Sequence, residues 1–127
     1  MKKLWLSAAL FLAPAFAHHS AAGFDYAKTL SADGTLKAFR WASPHSSALI
    51  EVIGADGKPE DMSFISVTPA AYVRQGFKPR DFTLGQKVTI SWHPSRTGGQ
   101  VGVLATLKLQ DGRTFKEGDY QATPPGQ

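Results

Sequence analysis

No cysteine occurs among the 127 residues, which excludes disulfides, thiolate metal sites and a cysteine-linked lipid anchor, so that the fold must rest on packing alone. Charge is sparse: 14 Lys and Arg stand against 10 Asp and Glu, a formal balance of +4, and no basic run offers the footprint of a nucleic-acid binder. Long apolar runs are missing too. The single apolar stretch, Leu4 to Leu12 with Pro14 close behind, is shorter than the ~20 residues a membrane-spanning helix needs. Phosphate-loop chemistry is absent, because Gly98-Gly99 has neither the lysine nor the helix such a loop requires. Asp61, Arg80 and Asp81 are isolated charges with no serine-histidine-acid spacing around them, so no nucleophile stands out.

The amino terminus carries the strongest positive signal. Residues 1–17 read as a secretory signal peptide: Lys2 and Lys3, the apolar Leu4–Leu12 stretch, then Ala15 and Ala17 as small residues three and one before a cut. Cleavage after Ala17 is expected, and it leaves 110 residues with His18 first, one ordinary domain in size. Loss of Lys2 and Lys3 lowers the formal charge to +2. Cleavage after Ala15 is the alternative, disfavoured because Pro14 would lie between the small residues Ala13 and Ala15. A soluble periplasmic or secreted protein is the expectation either way.

Short apolar runs with frequent punctuation predict an all-β fold. Thr35–Trp41 alternates with one imperfect register, Ala48–Ile53 is an apolar strand with one charge, and Asp56-Gly57 signals a hairpin turn before Met62–Val67. Thr68-Pro69 supplies an N-cap residue and a first-turn proline, and Gly76 closes the short helix that follows. Lys87–His93 and Val101–Leu109 complete the set, separated by Arg96-Thr97-Gly98-Gly99 and followed by Asp111-Gly112. Three strands, a helix and two strands is the element order of a small five-stranded OB-like barrel with one short helix between strands 3 and 4. The domain is expected over residues 18–115, with 116–127 as a flexible tail.

Several stretches of the chain together carry a family resemblance: His18-His19-Ser20, Phe24-Asp25, Trp41-Ala42-Ser43-Pro44-His45, Thr68-Pro69, Arg74-Gln75-Gly76-Phe77, Leu84-Gly85-Gln86-Lys87-Val88, His93-Pro94 and Asp111-Gly112-Arg113. They resemble a family of small secreted bacterial proteins known only as a domain of unknown function. Members usually read Asn-Pro-His where this chain has Ser43-Pro44-His45, and carry Trp and Glu on the third strand where it has Phe64 and, nearby, Ser66. The resemblance implies no established activity.

Function must come from the side chains. An N-terminal His18 would offer its α-amine and ring Nδ1 to one ion, with His19 adjacent and His45 and His93 at the ends of strands. Imidazole and amine donors suit Cu(II), Ni or Zn, with copper highest in affinity. Cleavage after Ala15 would instead put His18 in third position, a square-planar copper or nickel chelate. The first expectation is therefore a copper-binding protein in which His18 and His45 lead, His19 follows, and His93 is more readily a structural residue beside Trp92. Asp25 or Tyr26 could add an oxygen donor. The alternative is a metal-free OB-type module that holds a peptide, glycan or small molecule, with Trp41, Tyr72 and Trp92 as a stacking platform; the competing role for these three aromatics is core filling. An oxidase-like enzyme needs a substrate surface that no part of the sequence announces, so a binding protein is expected rather than an enzyme.

Overall fold

A computed structural model describes residues 23–118. The expected signal peptide, His18 and His19 lie outside the described residues. Among the described residues six strands, one α-helix and a short 3-10 helix at Pro79–Asp81 form the domain: β1 (Leu30–Arg40), β2 (Ser47–Ile53), β3 (Pro59–Ile65), α1 (Pro69–Arg74), β4 (Lys87–Pro94), β5 (Val101–Lys108) and β6 (Thr114–Lys116). The sheet runs β3-β2-β1-β4-β5-β6, and a parallel pairing of β3 with β5, Ser63 to Val101 through Ile65 to Val103, closes the first five strands into a barrel. That is the expected five-stranded OB-like barrel, with α1 between strands 3 and 4. β6 is an addition, paired with β5 after the Asp111-Gly112 turn.

Alternation decides which side chains enter the barrel. Ala48, Ile50 and Val52 of β2, and Val88, Ile90 and Trp92 of β4, point to the core while the residues between them are at least partly open to solvent. The imperfect register in β1 is a bulge between Leu36 and Ala38 in its pairing with β2. It lets Leu36 be fully buried while Phe39, three residues on, still packs on the core. β1 also begins five residues earlier than the apolar pattern indicates, because Leu30–Thr35 pairs with β4 along a largely exposed stretch. In the β2–β3 connection Gly57 takes φ +77°, a left-handed conformation that favours glycine, and Asp56 Oδ1 accepts from the Lys58 amide at 3.0 Å.

The helix starts where Thr68-Pro69 places it, and Gly76 at φ +87° ends the turn behind it. At six residues α1 is too short to be stable alone. Burial of Ala71 and Tyr72 holds it in place. Tyr72 stacks on Phe115 at 4.0 Å between ring centroids and meets Phe39, Trp41, Phe77 and Phe82 edge-on, an arrangement that favours each pair beyond area burial. Among the described residues no helix is long and apolar enough to cross a membrane.

Candidate functional site

Three segments converge on one pocket, and each is held there for a local reason. The first is the β1–β2 loop. Its Ser43–Pro44 peptide is cis, and the fully buried Ser46 ties it down. The Ser46 amide donates to Val67 O at 2.9 Å, and Ser46 O accepts from the Ser66 amide at 2.8 Å. His45 is exposed at the turn, with Nδ1 3.2 Å from Ser66 O. A carbonyl only accepts, so Nδ1 carries the proton and the lone pair resides on Nε2.

The second segment is the start of the described chain. Phe24 bridges to Ser95, the Asp25 amide donates to Pro94 O at 2.8 Å, and Arg96 N donates to Gly23 O at 3.0 Å. This stitching lays residues 23–28 across the end of β4, over His93. The His93 ring lies 4.9 Å from that of Tyr26, and its Nδ1 is 2.9 Å from Lys28 O. By the same argument His93 Nδ1 carries a proton. An outward residue of β4 is thereby mostly covered, its side chain only 15% exposed.

The third segment follows β6. Phe115 is buried and Lys116 exposed, so strand alternation turns Glu117 back toward the protein, and its amide continues the ladder by donating to Ala105 O at 2.8 Å. Its side chain is 13% exposed, with Oε2 3.9 Å from His93 Nε2. Burial holds the Glu117 carboxyl above the usual carboxylate range, and His93 pulls in the opposite direction more weakly. Burial also raises the Tyr26 phenol, with the Glu117 charge adding to it. Nothing in the sequence marked Glu117, which falls in the stretch expected to be a tail; only its spacing of two from Phe115 hints at an inward side chain.

Phe24, Tyr26, Pro44, His45, Val103 and Glu117, with the strand exit from Ile65 to Thr68, enclose a pocket of about 360 Å3. A roomier groove of about 580 Å3 runs beside Asp33, Thr35, Glu51 and Lys87. Its polar groups are largely paired with protein: Thr89 donates to Asp33, Lys87 to Thr35, and Lys37 to Glu51. The smaller pocket gathers the titratable side chains of Tyr26, His45 and Glu117 on its wall. Two of the four histidines are thus brought to one region, His45 on its wall and His93 behind Glu117 and Tyr26. Among the described residues no three His, Cys, Asp or Glu side chains come together closely enough to hold a metal ion.

The aromatic residues are placed differently from a platform. Tyr72 is fully buried and Trp92 nearly so; Tyr72 Oη is 2.6 Å from Ser66 Oγ inside the protein. Trp41 meets Tyr72, whereas Trp92 packs on Phe64. Tyr72 and Trp92 keep the barrel filled and present no open face for stacking.

Fold and pocket define a small OB-type β-barrel with an amphipathic pocket built from the segment before β1, the β1–β2 loop, the exit of β3 and the residue after β6. Residues 7–105 match the model of a family of unknown function, DUF6152, and the chain belongs to that family. The match stops short of β6 and Glu117. No protein of curated function matches the chain.

Proposed function

We propose that the protein is exported and binds a transition-metal ion, copper(II) first, through an N-terminal His18 together with the loop and strand-end histidines at the pocket. The observation that carries this reading is the matched state of His45 and His93: each has Nδ1 engaged by a backbone carbonyl. A backbone acceptor on Nδ1 is the arrangement that orients metal-binding imidazoles with Nε2 turned to the ion. His18 lies five residues before Gly23, so an extended chain reaches roughly 17 Å from there, ample for a pocket whose wall includes Phe24. An α-amine and imidazoles form a donor set that favours copper, and His19 is the next donor in line. Sequestration, delivery or sensing fits such a site better than catalysis.

The test is Cu(II) titration of protein that begins at His18, against a form retaining one extra residue before it. One ion per chain, bound more weakly by the extended form and by His45→Ala, supports the reading. Equal affinity for both amino termini refutes the N-terminal chelate. The metal-free alternative, a small-molecule binding module, draws on the pocket itself, since Phe24, Ile65, Val67 and Val103 supply apolar walls. It would lead if no copper binds.

A further inference from the structure

Glu117 holds a carboxylate on the wall of a largely apolar pocket. With its side chain only 13% exposed, such an anion is costly unless a cation or hydrogen-bond donors meet it. Among the described residues no hydrogen bond reaches it. Its ion-pairing partner, the His93 ring at 3.9 Å, is beyond hydrogen-bond distance and off the pocket wall. Burial accordingly holds the carboxyl above the usual carboxylate range. Among the described residues no fully sealed side-chain oxygen or nitrogen lacks a partner, so the unbonded Glu117 oxygens are open to the pocket they line. The backbone keeps them there: the Gln75 carboxamide donates to Lys116 O at 2.8 Å and accepts from Lys116 N at 3.0 Å, and the Glu117 amide donates to Ala105 O. Thr68, also on the wall, makes no side-chain cap to α1, which leaves its hydroxyl free to accept.

We propose that the pocket binds a small organic ammonium ion, its cationic head on the Glu117 carboxylate and its apolar body against Phe24, Ile65, Val67 and Val103. Charge, size and lining each favour that class. Among the described residues no Lys or Arg lines the pocket, so the Glu117 charge attracts cations and turns anions away. The volume of about 360 Å3, at ~30 Å3 for each water-sized group, takes roughly a dozen heavy atoms and is typical of small-molecule sites. Phe24 and Tyr26 add aromatic surface that a cation favours. A bare metal ion would leave the apolar walls unused, and among the described residues no three ligating side chains converge on one. The inference goes beyond the copper reading and does not depend on it; it rests on the binding-module reading of the pocket and names its ligand class.

The experiment titrates chelator-treated protein beginning at His18, in metal-free buffer at pH 7.5, with three probes that share a phenyl body: 2-phenylethylammonium, neutral 2-phenylethanol and anionic phenylacetate. Calorimetry is expected to show saturable binding of one ammonium probe per chain, about tenfold or more tighter than the alcohol, and no binding of phenylacetate. Glu117→Gln preserves size and polarity but removes the charge. It is expected to weaken the ammonium probe about tenfold or more and to leave the alcohol unchanged. Amide shifts in nuclear magnetic resonance are expected at Tyr26, Val67 and Glu117, and not along the groove beside Asp33 and Glu51. The comparison of ammonium with alcohol in the wild type decides the charge assignment even if the variant folds poorly. Equal affinity for those two probes would overturn the cation assignment and leave a neutral small-molecule pocket standing. Saturable binding of neither would bring down the binding-module reading and this inference with it. Wild-type affinity for the ammonium probe in Glu117→Gln, or shifts confined to the groove, would put the cation elsewhere and overturn the inference. Without metal in the buffer, none of these outcomes turns on whether copper binds.

Discussion

The carboxamide of Gln75, just past the end of α1, pairs with the backbone of Lys116 as a neighbouring strand would, donating to its carbonyl and accepting from its amide. One side chain thus supplies both hydrogen bonds that a missing seventh strand would have made to β6. Arg113 reinforces the same junction: it donates to Gly76 O at 3.0 Å, lies over the Phe77 ring at 4.9 Å, and pairs with Asp81 and Asp111. The helix end and the β5–β6 turn are therefore one structural unit. Its product is the position of Glu117.

Gln75→Ala removes both bonds to Lys116, and because the site is exposed the expected loss is about 1 kcal/mol in urea unfolding. The local effect is larger than the global one. Hydrogen exchange at the Glu117 amide is expected to accelerate well beyond exchange at core amides of β2 and β4, since β6 is a three-residue edge strand. Uniform acceleration across the barrel would contradict the local role.

Glu117 links stability to pH. Its folded carboxyl is held above the usual value mainly by burial, so the folded state binds the proton more tightly than the unfolded chain does. Stability from this group is present when it is protonated and is lost as pH rises through the unfolded and then the folded titration. Glu117→Gln, uncharged throughout, is expected to melt a few degrees above wild type at pH 7.5 without metal, with the gain gone below about pH 4. A lower melting temperature at pH 7.5 would show that the charge is stabilised by a protein partner.

The buried Ser66–Tyr72 bond, 2.6 Å between oxygens, joins the end of β3 to the helix beneath the pocket. Tyr72→Phe keeps the ring stack and deletes the hydroxyl, leaving Ser66 Oγ without this partner, at an expected cost of about 1–3 kcal/mol. Adding Ser66→Ala is expected to recover part of that loss. A double-mutant cycle with no coupling would mean that the two hydroxyls contribute independently.

Gly102, on β5, has no room for a side chain: a Cβ there would lie 2.5 Å from Trp92 Cδ1 and 3.1 Å from His93 O. Gly102→Ala must push the Trp92 indole, at an expected cost of about 1–3 kcal/mol. Because His93 is the next residue, the proposed copper site requires that the Trp92 fluorescence change be accompanied by weaker Cu(II) binding. Wild-type stability in this variant would show that the indole relocates freely.

Much of the barrel was legible in the chain because period-two burial and turn chemistry are local signals. Asp56-Gly57, Thr68-Pro69 and Gly76 each mark a boundary through the conformation of a single residue. β6 escaped because three residues are too few for a pattern; it exists through Gln75 and Arg113, which are 41 and 37 residues distant along their hydrogen bonds. His45 stood out by its place after Pro44. His93 read as a strand-end residue, and only the crossing of residues 23–28 over β4 revealed that its Nδ1 is spoken for by Lys28.

The sequence by itself determined the all-β class, the order of the first five strands along the chain and the short helix, since these follow from alternation and from residues whose backbone preferences act locally. It also fixed the side-chain chemistry on hand: imidazole nitrogen and carboxylate and phenol oxygen, with no thiol. Which of these groups meet was decided by tertiary structure. The parallel β3–β5 closure, the strap of residues 23–28 and the pinned β6 bring Tyr26, His45, His93 and Glu117 together from stretches up to 91 positions apart in the chain. No local propensity encodes such a meeting, because the free energy that enforces it comes from closing the barrel as a whole.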